Sequence, residues 1–279
     1  MRVRLLRRIW IALALLLTAT GTAADDLAGR LTLHRATTLA QQAPWVLILP
    51  GGGYVRHAVP KEGADIAAAL NARGLNAAVL QYRLPKPVEG EEGVARPLRD
   101  VRDALAVLRA EIGEQRLGIM GFSAGGHLAA MAATNAAHLE HLTAAPWRAP
   151  DFVALLYPVV TLTGPDRHVG STTALLGETP SASLLNQYDV LSHLETPPPL
   201  FVVHGRDDLK VPFSHAQRLW QLLTARERSA IFMIEVADGA HGFALRQTVR
   251  DAVWFDQFVT WALAPPEGHH YETTYLSQP

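Results

Sequence analysis

"LGIMGFSAGGHLAAMAA" (residues 117–133) joins a short apolar run to an alanine-rich segment through Gly121-Phe122-Ser123-Ala124-Gly125. The apolar run predicts a buried strand, and the alanine-rich segment predicts a helix. A G-x-S-x-G motif between a strand and a helix is typical of a tight turn that exposes a nucleophilic serine above a sheet. The alternative is that Ser123 only caps the helix and that the glycines only serve the turn.

Short apolar runs alternate with amphipathic segments on both sides of this motif. The predicted strands are WVLIL (45–49), AAVLQY (77–82), RLGIM (116–120), FVALLY (152–157), LFVVH (200–204) and IFMIEV (231–236). Helical spacing occupies 61–74, 97–113, 213–227 and 249–263. Apolar strands that alternate with helices predict an α/β fold with a mostly parallel central sheet and helices on both faces. Residues 158–199 contain no clear strand and are too long for a simple connector, so we expect a small cap or insert there.

A serine nucleophile needs a base, because serine is a weak nucleophile at neutral pH. Asp207 and Asp208 follow the predicted strand at 200–204, and His241 follows the strand at 231–236. Serine, aspartate and histidine in that chain order are typical of this architecture, with each group after the carboxyl end of a strand. We therefore predict His241 as the base, oriented by one of the two aspartates.

Three consecutive glycines, Gly51 to Gly53, follow the strand at 45–49. Glycines let the main chain approach a reacting carbonyl closely, and paired N–H donors stabilise the oxyanion of acyl transfer. We predict an oxyanion hole formed by the N–H groups of Gly52, Gly53 and Ala124. A phosphate-binding loop and a purely structural turn are the alternatives, although no phosphate-loop pattern follows. Tyr54 directly after the loop is expected either to line the substrate pocket or to belong to the core.

The composition limits the possible partners and cofactors. The chain has 279 residues, a formal net charge of −1 and no cysteine. The mildly acidic body argues against a nucleic-acid partner, and the missing cysteines exclude disulfides and thiolate chemistry. We expect neither a metal nor an organic cofactor.

The first residues carry four arginines, then an apolar run from Ile9 to Leu17, then small residues. This layout predicts a signal peptide over residues 1–24, since the apolar run is too short for a stable membrane span. An uncleaved anchor is the alternative. The prediction implies an exported protein, periplasmic or secreted, with its main domain at 25–265. Residues 266–279 are expected to be a polar, loosely held C-terminal tail.

Several motifs together resemble one known family. They are PGGGY (50–54), YRLP (82–85), RPLRDVRDAL (96–105), GFSAGGHLAA (121–130), GSTTALLGETPS (170–181), TPPPLFVVHGRDDLKVP (196–212) and GAHGFAL (239–245). Over about Trp45 to Leu263 the sequence is similar to the α/β-hydrolase esterases grouped with bacterial acetylxylan and feruloyl esterases.

This resemblance implies an α/β-hydrolase fold and selects Asp208 over Asp207. It also implies a serine carboxylesterase that removes acetyl or similar small acyl groups from carbohydrate esters. Two other functions stay open: a serine exopeptidase of the prolyl-oligopeptidase type, and a non-catalytic carbohydrate-binding or scaffold protein on the same fold.

Overall fold

The six apolar runs form the centre of one mostly parallel sheet in the computed structural model, which describes residues 27–37, 43–135, 148–226, 229–245, 249–264 and 270–276. Within these ranges the sheet has eight strands in the order β1-β3-β2-β4-β5-β6-β7-β8. The strands are β1 Leu31–His34, β2 Trp45–Leu49, β3 Asn76–Leu80, β4 Leu117–Phe122, β5 Phe152–Leu156, β6 Leu200–Gly205, β7 Ile231–Val236 and β8 Tyr271–Leu276. Only β1 runs antiparallel to its neighbour, and all other pairs are parallel. Because β2 to β6 are fully buried, they read as continuous apolar runs without alternation.

Helices cover both faces of the sheet, as the sequence predicts. They are α1 Asp65–Ala72, α2 Gly90–Ile112, α3 Ala124–Thr134, α4 Val169–Leu176, α5 Ala182–Tyr188, α6 Ser214–Arg226 and α7 Val249–Leu263. Side chains of α2, α3 and α6 belong to one apolar cluster, and those of α1 and α7 belong to a second cluster on the opposite face. Two separate cores on the two faces explain why every central strand is apolar on both sides.

The insert between β5 and β6 contains two short helices, α4 and α5, and a 3₁₀ turn at Val190–Ser192, without any strand. Its helix α5 is tied to α3, because the His127 ring lies 2.8 Å from the carbonyl oxygen of Tyr188. The segment at 158–199 therefore folds back over the end of the sheet where the serine turn lies.

The prediction of a loosely held tail is wrong for residues 271–276. Strand β8 pairs in parallel with β7 along its whole length, from Ile231 opposite Tyr271 to Val236 opposite Leu276. The segment is polar because it forms an exposed edge strand with only half of its side chains partly covered. The sheet thus extends beyond the boundary at 265, while the predicted signal peptide at 1–24 lies outside the described residues.

Across the described ranges, no helix is both long and apolar enough to cross a membrane.

Candidate active site

The serine turn connects β4 to α3 and places Ser123 in an unusual backbone conformation. Ser123 has φ 53° and ψ −117°, a region that non-glycine residues rarely adopt. A Cβ on Gly121 would lie 2.2 Å from the Gly125 carbonyl oxygen, and a Cβ on Gly125 would lie 2.2 Å from that of Leu49. Both positions must be glycine, since any side chain would collide with backbone that cannot move away. Close packing against β2 therefore fixes the tight backbone conformation of the turn.

The structure brings Ser123, His241 and Asp208 into one hydrogen-bonded chain. Ser123 Oγ lies 2.8 Å from His241 Nε2, and His241 Nδ1 lies 2.7 Å from Asp208 Oδ2. An ionised carboxylate only accepts hydrogen bonds, so His241 Nδ1 carries the proton in the neutral ring. Nε2 is then free to accept the proton of the Ser123 hydroxyl, which is the arrangement that activates a serine.

Asp208 is the aspartate that faces His241, whereas Asp207 is exposed. The second oxygen of Asp208, Oδ1, accepts the backbone N–H groups of Lys210 at 2.9 Å and Val211 at 3.0 Å. Burial alone would raise the pKa of this carboxyl. Hydrogen bonds from the two histidines beside it and from the Val211 N–H outweigh burial and hold the pKa of Asp208 well below its usual range. The carboxylate is therefore ionised at neutral pH.

The glycine loop after β2 lies against the serine turn. A Cβ on Gly51 would lie 3.0 Å from Ser123 Cβ and 2.7 Å from the carbonyl oxygen of Phe122. Gly51 donates its N–H to Glu62 Oε2 at 2.9 Å, so that donor is already used. Gly52 and Gly53 have φ 133° and 65°, conformations that glycine alone adopts without strain.

The N–H groups of Gly52, Gly53 and Ala124 donate no hydrogen bond within the described part of the chain. Ala124 is the first residue of α3, where the N–H groups of a helix have no partner in the helix itself. Three unpaired donors thus lie on the two loops that meet at Ser123. They can bind an anionic oxygen that develops next to the serine.

Tyr54 lies in the core, which is one of the two places expected for it from the sequence. Its ring is 2% exposed, and its hydroxyl lies 2.7 Å from His127 Nδ1. Burial, together with the negative charges of neighbouring tyrosines, raises the pKa of Tyr54 well above the usual value. Tyr54 therefore anchors the end of the glycine loop to the core. Its backbone has φ 63°, like that of Gly53 before it.

Other histidines near the site have structural partners. His204 Nε2 lies 2.9 Å from the Val211 carbonyl oxygen and 3.4 Å from Asp208 Oδ2. His215 receives the Val160 N–H and contacts the carbonyl oxygen of Asp166. These histidines are buried and hold loops together, so His241 is the histidine that reaches Ser123.

Sequence reasoning missed His168, which the insert contributes to the surroundings of the site. It precedes α4, and its Nδ1 accepts the Ser171 N–H at 3.1 Å, so the proton of the neutral ring lies on Nε2. Burial, and secondly the charge of His241, lowers the pKa of His168. No motif signalled this residue, because its proximity to His241 depends on how the insert folds.

Backbone strain is concentrated around this site. Four non-glycine residues among those described have positive φ: Tyr54, Ser123, Tyr157 and Ala244. Each lies on a loop that follows the carboxyl end of a strand, next to the glycine loop, the serine turn or His241. Residues in such conformations cost about 1–3 kcal/mol each and persist only where packing enforces them, which is common at functional sites.

Proteins in which a parallel sheet with helices on both faces presents serine, aspartate and histidine in this chain order are α/β hydrolases, and this chain has that fold. Within the described residues, no cluster of three or more histidine or acidic side chains could hold a metal ion. The sequence model of the BD-FAE family matches residues 31–223, so the chain belongs to the BD-FAE family.

Individual relatives agree with this assignment. The chain is 30% identical over 208 residues to an acetylxylan esterase of Xylanibacter ruminicola, covering 70% of this chain and 40% of the relative. It is 31% identical over 183 residues to endo-1,4-beta-xylanase B of Butyrivibrio fibrisolvens, covering 61% of this chain and 28% of that protein. The chain therefore spans less than half the length of either relative.

A solved structure is also similar in fold and sequence. The acetyl ester-xyloside bifunctional hydrolase of Caldicellulosiruptor lactoaceticus superposes with a TM-score of 0.71 at 28% identity, covering 83% of this chain and 86% of that one. The chain thus has the α/β-hydrolase fold and is similar in sequence to esterases.

Proposed function

We propose that the chain is an exported serine carboxylesterase that removes acetyl or similar small acyl groups from carbohydrate esters. The observation that carries the proposal is the hydrogen-bonded chain from Ser123 through His241 to Asp208, beside the unpaired N–H donors of the glycine loop. The similarity to an acetylxylan esterase and to an acetyl ester-xyloside hydrolase supports carbohydrate esters as the substrate class.

The first half-reaction transfers the acyl group to the enzyme. His241 Nε2 takes the hydroxyl proton of Ser123 while Oγ forms a bond to the ester carbonyl carbon. The carbonyl oxygen becomes an oxyanion, which the N–H groups of Gly52, Gly53 and Ala124 stabilise. The intermediate then loses the sugar alkoxide, which receives the proton from His241 and leaves as an alcohol. An acyl-serine remains.

The second half-reaction regenerates the serine. Water gives one proton to His241 and attacks the acyl carbon, and the same N–H donors stabilise the second oxyanion. The Ser123 oxygen then leaves with the proton from His241, and a carboxylic acid is released. Asp208 stays ionised in both halves and stabilises the imidazolium each time that it forms.

Ester hydrolysis by the purified protein tests this function. Release of p-nitrophenol from acetyl, butyryl and feruloyl esters is measured for the wild type and for Ser123→Ala. We expect a preference for acetyl and a loss on the order of 10⁴-fold or more in the alanine variant. Mass spectrometry of the quenched reaction should detect one added acyl group on the peptide that contains Ser123. Acetate release from acetylated xylan then tests the substrate class.

Other results would select the competing functions. Cleavage of dipeptide amides without ester cleavage would indicate an exopeptidase. Binding of xylan by a protein that cleaves neither substrate would indicate a carbohydrate-binding role.

Export is part of the same proposal and has its own test. Expression of the full chain in a bacterial host, followed by cell fractionation and N-terminal sequencing, should give a protein that begins near residue 25 outside the cytoplasm. A cytoplasmic or membrane-retained protein with an intact N-terminus would contradict cleavage.

A further inference from the structure

One short turn contacts both loops that frame Ser123. The turn is a single π-helical segment at Pro60–Ala64, directly ahead of α1. π-helical turns are rare in proteins, and those that occur are often found at functional sites. Its residues Lys61 and Glu62 have no role in the proton transfers described above.

Glu62 fixes the start of the glycine loop. Its side chain is 5% exposed, and its Oε2 accepts the N–H of Gly51 at 2.9 Å. A buried carboxylate is costly unless hydrogen bonds satisfy it, so the contact strongly favours one orientation of the Gly51 peptide group. On the other side of this peptide, the Tyr82 hydroxyl donates to the Pro50 carbonyl oxygen at 2.9 Å. Three consecutive glycines would otherwise have wide conformational freedom.

Glu62 also reaches the surroundings of the base. Its second oxygen, Oε1, accepts the hydroxyl of Tyr157 at 3.0 Å. The Tyr157 ring packs edge-on against the His241 imidazole, with ring centroids 5.1 Å apart. One carboxylate thus contacts the glycine loop directly and His241 through one aromatic ring.

Lys61 holds the loop of His241 from the same turn. Its Nζ donates to the carbonyl oxygen of Gly242 at 2.7 Å, across a sequence separation of 181 residues. Nζ also lies 4.0 Å from Glu62 Oε1. Two adjacent residues therefore bond to the two loops that carry the oxyanion donors and the base.

We propose that Lys61 and Glu62 are positioning residues that tie the glycine loop and the His241 loop to one turn, and so set the oxyanion donors relative to the base. The proposal rests on the proposed esterase function. Neither side chain touches the reacting atoms. Their contribution is preorganisation, because donors that are already in place need no rearrangement when the oxyanion forms.

The test compares Glu62→Ala, Glu62→Gln and Lys61→Met with the wild type. The matched control is Glu111→Gln. Glu111 lies on α2 and forms an exposed ion pair with Arg35, and this change removes its carboxylate. For each protein, kcat and KM for p-nitrophenyl acetate are measured, together with amide hydrogen exchange in residues 51–54 and 241–243 by mass spectrometry.

Glu62→Ala should lower kcat by about 10- to 100-fold, less than the loss of a direct oxyanion donor, while KM changes by less than about threefold. Exchange in residues 51–54 should become faster. Glu62→Gln should recover much of kcat, because its amide oxygen can still accept the Gly51 N–H. Lys61→Met should speed exchange in residues 241–243 with a smaller loss of kcat, and the control should match the wild type.

The proposal would be overturned if kcat and exchange were unchanged in all three variants. It would also be overturned if the control lost as much kcat as the three variants do. If Glu62→Ala does not fold, Lys61→Met decides, since the Lys61 side chain is 46% exposed and its replacement removes a single hydrogen bond, the one to the Gly242 carbonyl oxygen. If the wild type does not cleave esters, the proposed function fails by itself. The exchange rates of the two loops then still show whether this turn holds them.

Discussion

Replacement of Asp208 by asparagine should disable His241 while keeping the size and shape of the side chain, because it only exchanges one carboxylate oxygen for an NH₂ group. In the wild type, Oδ1 accepts two backbone N–H groups, those of Lys210 and Val211. These donors require an oxygen at that position, so an asparagine would place its oxygen there and its NH₂ group at the position of Oδ2. That NH₂ group would then face His241 Nδ1 at about 2.7 Å.

The consequence is a change of tautomer. A donor that faces Nδ1 forces this nitrogen to accept, which moves the proton of the neutral ring to Nε2. Nε2 lies 2.8 Å from Ser123 Oγ and could then no longer take the hydroxyl proton. A serine site with the wrong histidine tautomer loses about 10⁴ in kcat, which corresponds to about 5.5 kcal/mol of transition-state stabilisation.

The assay is steady-state hydrolysis of p-nitrophenyl acetate at neutral pH, with circular dichroism as the check on folding. Asp207→Asn is the matched control, because Asp207 is the exposed neighbour of the same residue type, and it should keep wild-type activity. An Asp208→Asn variant that folds and keeps more than a tenth of wild-type kcat would refute this account of the tautomer. A large loss in Asp207→Asn would show that the wrong aspartate has been identified.

Three further predictions concern stability. Burial lowers the pKa of His127 to about 4 and that of His215 to about 4; the unfolded chain binds these protons near pH 6.5, so stability should fall between about pH 6.5 and 4, by roughly 2 kcal/mol per histidine at about pH 5. Urea unfolding should show a smaller loss of stability in His127→Gln, by roughly the 2 kcal/mol that this histidine contributes at about pH 5, and an unchanged pH dependence would contradict it. Gly125→Ala places a Cβ 2.2 Å from the Leu49 carbonyl oxygen, so it should lower the free energy of unfolding by about 3 kcal/mol or more, or prevent folding. The same change at Gly53, whose Cβ would meet no atom within 4 Å, should lower it less. Removal of residues 270–279 strips β8 from the sheet and should lower the urea midpoint; an unchanged midpoint would mean that β8 contributes nothing to stability.

The central strands could be predicted from sequence because burial on both faces leaves an unbroken apolar signal. Edge strands lack this signal: β1, LTLH, and β8, YETTYL, are partly exposed, and the polar sequence of β8 predicts a loose tail instead of a strand. The helical spacing at 97–113 predicts a start at Pro97, but α2 begins seven residues earlier, at Gly90, and Pro97 lies inside the helix. The local sequence pattern therefore predicts the central strands. It does not predict the edge strands or the start of α2, which depend on tertiary contacts.

The candidate site divides in the same way. Ser123 and His241 were predicted because each lies in a local motif after a strand, and the structure places them 2.8 Å apart. The choice of Asp208 over Asp207 needed family resemblance, since both follow the same strand. Lys61 and Glu62 could not be found from the sequence, because their partners depend on contacts such as the one between Lys61 and Gly242.

The spacing of the hydrogen-bonded chain also makes activity a late event in folding. Ser123 directly follows β4, a strand in the middle of the sheet, and its partner His241 comes 118 residues later. Closing a loop of that length is entropically costly, and sheets built from distant pairings form slowly. During refolding, helix content should therefore return before ester hydrolysis does. A chain interrupted between α3 and β7 would have the serine turn without its base.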